Sequence, residues 1–189
     1  MLGESAPSAD EAMTRGQTPA PSVAAVVLAA GEASRFGGPK QRLLLPLVLA
    51  RLAGAPVEDV VVVAGAYPLG DAAGSDRVVT CPEWERGPGA SLRCGLSALA
   101  PGTDAAVVVL ADGPDLSPEA VSRVVAAWRK GAGPLVAASY GGERGHPLLV
   151  ARELWDSVPD EGFRAHPPAL VQCDDLGAPG DVDTWGDLP

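Results

Sequence analysis

Short apolar runs alternate with amphipathic stretches along most of the chain. Four of the runs are rich in valine and free of charge, which is typical of strands that are covered on both faces. They are Val23–Leu28, Val60–Ala64, Ala105–Leu110 and Leu135–Ala138. Doubly covered strands occur in sheets that carry helices on both sides, so this pattern favours an α/β fold.

Three stretches between these runs carry helical spacing. They are Leu47–Leu52, Ser91–Leu99 and Pro118–Trp128. The last has the clearest start, because Ser117 is a suitable N-cap, Pro118 suits the first helical position and Glu119 falls in the first turn. The first is predicted to be only a short helix. The alternation predicts a three-layer α/β/α, Rossmann-like domain with a mostly parallel sheet.

The length and composition are those of one globular domain. The chain has 189 residues, of which 47% are hydrophobic and 20% are charged. Residues 1–22 combine few apolar side chains with many Ser, Pro, Gly and Ala, and such a segment cannot bury enough surface to offset its ordering entropy. We therefore predict a disordered tail over residues 1–22 and a domain over residues 23–189.

Charge and cysteine content narrow the class of protein. The formal net charge of −10 argues against a nucleic-acid partner, because a polyanion would be repelled on average. No apolar run approaches the roughly 18 residues of a membrane span, and the N-terminus lacks the order of a signal peptide. A cytoplasmic protein without a membrane partner is expected. Cys81, Cys94 and Cys173 form no CxxC pair, so buried free thiols are expected in a reducing compartment.

Candidate binding residues follow the strands, where parallel α/β sheets hold their ligands. The segment "VVLAAGEASRFGGPKQR" places Arg35 and Lys40 on a glycine-rich loop after the first strand. Glycines permit close backbone approach and the cations can hold phosphates, although a solvated turn can have the same composition. The spacing matches neither the GxGxxG of a dinucleotide fold nor a P-loop.

Two segments offer carboxylates for a metal. Asp112 follows a buried strand and precedes a Gly-Pro turn in "VVVLADGPDLS", which predicts an exposed carboxylate at the ligand edge of the sheet. A carboxylate there can hold Mg²⁺ against phosphate oxygens, and a turn aspartate is the alternative. The segment "GDVDTWGDL" offers Asp181 and Asp183, which point the same way if the chain is extended. Asp183 could equally cap a short helix.

Two further segments suit substrate contacts. A Gly-Pro-Gly loop leads into the helix start that carries Ser91, a plausible frame for a base or ribose and also for an ordinary loop. Gly145-His146-Pro147 follows the hairpin "YGGERG", and the proline favours an extended backbone there. His146 could donate a hydrogen bond to an anionic acceptor, or be a simple turn histidine. His166 has no accompanying motif and is predicted to be structural or exposed.

These segments, in this order, resemble the MobA-like nucleotidyltransferases, and among them the molybdenum cofactor cytidylyltransferases. The likeness covers nearly all of residues 23–188. The segments that carry it are "LAAGEASRFGGPK", "WERGPGASLRCGL", "ADGPDLSPEAV", "GHPLLV" and "GDVDTWGDL". They are similar to the family's nucleotide-binding signature LAAG-x-x-x-R-[FM]-G-x-x-K, its W-x-x-G-x-x-x-S-L-x-x-G segment, its metal-binding D-x-P turn, its G-[HN]-P motif and its D-[IV]-D-T-P-E-D-L ending.

The resemblance implies a role for each matching residue. The nucleotide would contact Leu28, Ala29, Ala30, Gly31, Arg35, Lys40, Ser91 and Gly95, with Arg35 and Lys40 on its triphosphate. Asp112 and Asp183 would hold Mg²⁺, with Asp181 a weaker candidate. The acceptor would face Gly145, His146 and Pro147. Arg35, Lys40 and Asp112 are then the predicted catalytic residues, because joining two anions requires the charge on their phosphates to be offset.

The implied reaction transfers CMP from CTP to the molybdenum cofactor, molybdopterin bearing molybdenum, and releases pyrophosphate. Cytidine is favoured because guanylyl members tend to have glycine at the position of Ala30, whose methyl group narrows the space beside the base. The alternatives are a guanylyltransferase, a sugar-phosphate nucleotidyltransferase and a non-catalytic nucleotide- or cofactor-binding relative. The implied partners are CTP or another NTP, a phosphorylated small-molecule acceptor such as molybdopterin, and a molybdoenzyme or its chaperone.

Overall fold

The computed structural model describes residues 19–32, 40–74 and 77–180, which form an α/β domain. The seven strands of its sheet are β1 (Val23–Ala29), β2 (Val60–Ala64), β3 (Arg77–Thr80), β4 (Ala105–Leu110), β5 (Leu135–Tyr140), β6 (Glu143–Ala151) and β7 (Ala169–Gln172). The α-helices are α1 (Lys40–Leu52), α2 (Pro88–Ser97) and α3 (Pro118–Arg129). Short 3₁₀ helices occupy several of the connections.

The sheet is mostly parallel, as the sequence predicts. Its strand order is β3-β2-β1-β4-β6-β5-β7, and β6 alone runs antiparallel to its neighbours. After β1 the chain continues into β2, which lies on one side of β1 in the sheet, and it later returns to form β4 on the other side of β1. Parallel strands whose connections diverge in this way open a crevice at their carboxyl ends, which is where such folds bind ligands. The crevice in this protein lies between the ends of β1 and β4.

The sheet is covered on both faces, so the three-layer prediction is confirmed. One core cluster joins the sheet to α1 and α3 through residues such as Leu45, Val48 and Val121. The second cluster joins the opposite face to α2 through Leu92 and Leu96. Because both faces are buried, the central strands are apolar at every position, which is the pattern the sequence displays.

Helix α1 is longer than predicted. The sequence suggests a helix only from Leu47, because Pro46 lacks an amide hydrogen and disfavours a helix interior. The structure begins the helix at Lys40 and keeps Pro46 inside it. Buried side chains on both sides of the proline, Leu44, Leu45 and Val48 among them, supply the packing that outweighs its local penalty.

The expectation of free cysteines is wrong for two of the three. Cys81 and Cys94 form a disulfide with their Cα atoms 5.7 Å apart, while Cys173 is free and buried. The bridge joins the end of the sheet to α2 across a sequence separation of 13. Sequence spacing could not reveal it, because the two residues meet only when α2 packs against the sheet.

Reduction of this disulfide should lower the free energy of unfolding by about 2 to 3 kcal/mol, because the bridge restricts the unfolded chain. The measurement is urea denaturation with and without a thiol reductant. Cys81→Ser/Cys94→Ser should match the reduced protein and be insensitive to the reductant. Equal stability of the oxidised and reduced protein would contradict this expectation.

The start of the domain is fixed by polar contacts. The backbone amide of Ser22 donates to the Asp104 carboxylate at 2.8 Å, and its hydroxyl donates to Glu58 at 2.8 Å. Residues 1–18 of the predicted tail lie outside the described residues, and the division into tail and domain stays a prediction. Within the described ranges, no helix is both long and apolar enough to cross a membrane.

Candidate functional site

The candidate site lies at the divergence of β1 and β4. Leu28 near the end of β1 is in register with Leu110 at the end of β4. Past these two leucines, the chain continues into Ala30-Gly31 on one strand and into Asp112 on the other. Two segments that are far apart in the sequence therefore meet at the crevice, as the alternation of strands and helices requires.

The two described residues of the predicted catalytic set contact each other. The ammonium Nζ of Lys40 lies 3.0 Å from the carboxylate Oδ2 of Asp112. The Lys40 side chain is only 8% exposed, whereas that of Asp112 is 26% exposed and reaches solvent. A partly buried ion pair facing an open crevice can exchange its internal contact for phosphate and metal, because both partners recognise such ligands.

The neighbouring Gln41 contacts the chain just past the end of β1. Its side-chain amide donates to the backbone carbonyl of Gly31 at 2.8 Å, and the glutamine is buried. Gln41 and Lys40 are consecutive on the first turn of α1, so one helix turn supplies both the contact with Gly31 and the ion pair with Asp112.

Asp112, Gln41 and Gly31 border a cavity of about 430 Å³, which we call the Asp112 cavity. Its lining comes from the end of β1, the start of α1, the segment leading into α2, and the turn after β4. The lining residues are Leu28, Ala30, Gly31, Gln41, Trp84, Glu85, Gly87, Pro88, Ser91, Leu110, Asp112 and Arg164. A volume of this size suits a small molecule, and the wall combines apolar side chains with a few polar groups.

Two further cavities continue from the Asp112 cavity along the sheet edge. The Phe163 cavity, about 300 Å³, shares Leu28, Pro88, Leu110 and Arg164 with the Asp112 cavity. The Tyr140 cavity, about 540 Å³, shares Leu110, Arg144, Gly145 and His146 with the Phe163 cavity. Because they share walls, the three cavities are neighbours along this edge of the sheet, and we refer to them together as the groove.

His146 lies in the wall between the Phe163 and Tyr140 cavities. It is part of β6, and its backbone carbonyl accepts a hydrogen bond from the Tyr140 hydroxyl at 3.0 Å. Burial and then the positive charge of Arg144 lower the pKa of His146 to about 4, while the negative charge of Asp112 opposes the shift. A neutral imidazole therefore faces the groove at pH 7.

The low pKa of His146 should make the protein less stable in acid. An unfolded imidazole binds its proton below a pKa of about 6.5, whereas the folded one stays neutral until about 4. Between these values the unfolded state holds the extra proton, so stability falls as the pH falls. Wild-type protein should lose on the order of 1 to 2 kcal/mol more than His146→Gln between pH 7 and pH 5. Urea denaturation measures the loss, and an NMR midpoint near 6.5 for His146 would contradict it.

The residues present fit a hard divalent cation held together with phosphate. Asp112 supplies a partly exposed carboxylate, and Mg²⁺ or Mn²⁺ is commonly bound through one or two carboxylates and substrate phosphates. Among the described residues, no group of three or more His, Cys, Asp or Glu side chains could form an all-protein metal site. Asp112 would be a ligand of such a metal and would share it with a substrate phosphate.

The predicted site residues divide into three groups. Those that line the groove or contact a lining residue are Leu28, Ala30, Gly31, Lys40, Ser91, Asp112, Gly145 and His146. Those that line none of the three cavities are Ala29, Gly95 and Pro147. Those outside the described residues are Arg35, Asp181 and Asp183. Whether any of the first group binds substrate stays a prediction.

The second group lines none of the three cavities, and packing is the reason. Ala29 is buried in the core beneath α1 and α3, because neighbouring residues of a strand face opposite sides of the sheet. A Cβ on Gly95 would lie 2.5 Å from the side chain of Val26, so this glycine allows α2 to pack closely on β1. Pro147 is buried within β6 and borders none of the three cavities.

Several lining residues escaped the sequence analysis. Gln41 could have been noticed as the neighbour of Lys40, and Trp84 as the first residue of a matching segment. Arg164 ends the segment "DEGFR", which is similar to the D-x-G-A-R segment of the family and could have drawn attention to it. Arg144 had no such signal, because a single arginine in a polar stretch is more often a solvated surface residue. Only the tertiary structure brings these two arginines to the groove.

Comparison with known structures supports the architecture. The crystal structure of Rv0371c from Mycobacterium tuberculosis H37Rv superposes with a TM-score of 0.72 at 26% identity, covering 89% of this chain and 96% of that one. The crystal structure of Rv0371c in complex with manganese gives a TM-score of 0.67 at 25% identity, with 88% and 95% coverage.

Comparison of sequences identifies the family. Nicotine blue oxidoreductase from Paenarthrobacter nicotinovorans is 31% identical over 198 aligned residues, covering 89% of this chain and 96% of that protein. The model of the MobA-like NTP transferase domain matches residues 25–164, which include most of β1, all of α1, the Lys40–Asp112 pair and most of the groove. The chain therefore belongs to the MobA-like NTP transferase family and is, by that membership, a nucleotidyltransferase.

Proposed function

We propose that this protein transfers CMP from CTP to the molybdenum cofactor and releases pyrophosphate. The single observation that carries the proposal is the ion pair between Lys40 and Asp112, 3.0 Å apart at the divergence of β1 and β4. The reaction joins a phosphate of the acceptor to the α-phosphorus of the nucleotide, so it needs a cation for the triphosphate and a carboxylate for its metal. Both are available at one point of the groove.

The proposed substrates would occupy the groove end to end. The nucleotide would fill the Asp112 cavity, with its triphosphate on Lys40 and on Arg35, and with Ser91 near its ribose. The acceptor would fill the Phe163 and Tyr140 cavities, against Gly145 and His146. Mg²⁺, held by Asp112 and Asp183, would offset the charge of the phosphates. The manganese in the complex of Rv0371c supports a divalent metal, although it belongs to a relative.

Cytidine is proposed as the base because of Ala30. This residue lines the Asp112 cavity, and we infer that its methyl group narrows the space beside the base. Molybdopterin as acceptor, and a molybdoenzyme or its chaperone as recipient of the product, follow from the resemblance of the motifs. Guanylyl transfer and transfer to a sugar phosphate remain alternatives within the same family.

Replacing Ala30 with glycine should shift the nucleotide preference toward GTP. Removal of one methyl group from a pocket wall changes selectivity by about tenfold, so the ratio of kcat/KM for GTP to that for CTP should rise by that factor. Ala29→Gly is the matched control, because the Ala29 side chain faces the opposite core and should leave the ratio unchanged. An unchanged ratio in Ala30→Gly would argue against this basis for selectivity.

The function is tested by pyrophosphate release with each of the four NTPs in the presence of Mg²⁺ and molybdenum cofactor. The proposal predicts release with CTP that depends on the cofactor. Release with GTP and with no other NTP would identify a guanylyltransferase instead. Tight binding of CTP without release would support a non-catalytic relative.

An oxidoreductase is the second candidate, and the relative from Paenarthrobacter nicotinovorans motivates it. The same groove could hold a reduced nicotinamide dinucleotide, whose pyrophosphate would lie near Lys40, with a flat acceptor beside it. The test is loss of absorbance at the reduced nicotinamide band when nicotine blue is the hydride acceptor. Turnover there, without pyrophosphate release from any NTP, would replace the first proposal.

The cytoplasm is proposed as the compartment, since NTPs and the molybdenum cofactor are cytoplasmic reactants. The disulfide between Cys81 and Cys94 is unusual for a reducing compartment. Cys81 is fully buried, which slows attack by thiols on that sulfur.

A further inference from the structure

Arg164 lies at the junction of the groove. It lines both the Asp112 cavity and the Phe163 cavity, and its side chain is exposed. Among the residues that the structure describes, no acidic side chain forms an ion pair with it. Its charge nevertheless reaches the groove wall, because it contributes to the lowered pKa of His146. A cation at this point faces both halves of the groove.

The turn that carries Arg164 comprises residues 158–166, and other arginines hold it in place. Arg93 on α2 donates to the backbone carbonyl of Val158 at 2.6 Å and forms an ion pair with Asp160. Arg86 also pairs with Asp160, at 3.1 Å. These contacts tie the first half of the turn to α2 and to the segment before it.

The second half of the turn is held from the sheet. Arg144 on β6 donates to the backbone carbonyls of Phe163 and His166, at 2.7 and 3.0 Å. The Phe163 ring is buried and meets the His166 ring edge-on at a centroid distance of 5.4 Å. The backbone is therefore restrained on both sides of Arg164, at Phe163 and at His166. A cation on a restrained backbone is better prepared for a ligand than one on a free loop, because less ordering is needed on binding.

The surroundings of Arg164 define the kind of ligand. The Phe163 cavity is walled mainly by apolar side chains, among them Leu92, Leu148 and Phe163. Glu161 also lines it but is exposed. A ligand with an apolar or aromatic body would fill this wall, and an anionic group at one end would reach the guanidinium. Arginine recognises phosphate in particular, because its planar fork donates two parallel hydrogen bonds.

We propose that Arg164 binds the phosphate of the acceptor and holds it at the boundary between the two cavities. This assignment rests on the proposed function for the identity of the anion. In the reaction, an oxygen of that phosphate forms a bond to the α-phosphorus of the nucleotide, the bond from the α-phosphorus to the bridging oxygen breaks, and pyrophosphate leaves with the electron pair. Arg164 is thus a substrate-binding residue that sets which anion can attack.

The test uses phenyl phosphate as a probe, since it combines an aromatic ring with a phosphate monoester. Binding is followed by NMR through the imidazole signals of the two histidines, His146 and His166, which His166→Gln distinguishes. Wild-type protein should show a saturable shift of the His146 signals. In Arg164→Gln the dissociation constant should rise by about tenfold or more, and Arg164→Lys should be intermediate. Arg51→Gln, an exposed arginine of α1 that borders none of the three cavities, is the matched control and should stay within about twofold of wild type.

The outcomes separate this assignment from the proposed function. Failure of wild-type protein to bind phenyl phosphate, or equal binding by Arg164→Gln, overturns the role of Arg164. Phenol should bind equally to wild type and Arg164→Gln, and a parallel loss of phenol binding would mean that the cavity had collapsed, which also overturns it. Selective loss of phenyl phosphate binding supports the role of Arg164. If wild-type protein also released no pyrophosphate from any NTP, the phosphate site would stand and only the proposed function would fall.

Discussion

Replacing Asp112 with asparagine should slow pyrophosphate release by about 100- to 1000-fold and leave the protein folded. The amide is nearly isosteric with the carboxylate, and its oxygen can still accept a hydrogen bond from Lys40, 3.0 Å away. The change removes the negative charge that would hold the divalent cation. The cation is most needed where charge develops on the departing pyrophosphate. The substitution should therefore reduce the stabilisation of the transition state more than it reduces the affinity for the nucleotide.

The measurement is a titration of pyrophosphate release against Mg²⁺, with circular dichroism to confirm folding. Asp115→Asn is the matched control, because Asp115 lies in the same turn and is exposed but does not line the Asp112 cavity. It should retain a rate close to that of wild type. A rate near the wild-type value for Asp112→Asn at ordinary Mg²⁺ would refute the metal assignment for Asp112.

Replacing Gly89 with alanine should destabilise the domain by at least about 3 kcal/mol, and it should weaken phosphate binding at Arg164 as well. A Cβ at Gly89 would overlap the backbone carbonyl oxygen of Pro159 and would lie 2.9 Å from that of Asp160. Backbone atoms cannot rotate away as a side chain can. The amide of Gly89 also donates to the carbonyl of Asp160 at 2.8 Å, so the clash would separate α2 from the turn that carries Arg164.

The change is measured by urea denaturation of Gly89→Ala beside Gly102→Ala. Gly102 is the matched control, because a Cβ there would meet nothing within 4 Å and its backbone is in an ordinary conformation. It should alter stability by less than about 1 kcal/mol. Equal stability of the two variants would show that the contact between α2 and the turn is looser than described.

The buried strands were predictable because burial on both faces leaves only apolar side chains to choose from. The sequence predicts β2 and β4 with the bounds that the structure has. It overlooks β3 and β7, which are short, partly exposed edge strands with little apolar signal. It also overlooks the length of β6, because a glycine and a proline inside "ERGHPLLVA" disguise a strand.

The site was predictable where function demands a local motif. Lys40 and Asp112 each stand in a recognisable segment, and their meeting follows from the order of the strands. The place of Arg164 in the groove and the disulfide were not predictable, because each depends on how a turn or helix packs against a distant part of the chain. Ala29 and Gly95 were assigned to the nucleotide by motif alone, and the structure adds that the Ala29 side chain lies in the core and that Gly95 packs against Val26.

The most direct test of the account is a crystal structure with a slowly hydrolysed CTP analogue and Mn²⁺. We expect the triphosphate on Lys40, the base against Ala30 in the Asp112 cavity, and an anomalous manganese peak on a carboxylate oxygen of Asp112. Phosphates bound away from Lys40, or manganese bound away from Asp112, would contradict the central claim that this ion pair organises the nucleotide and its metal.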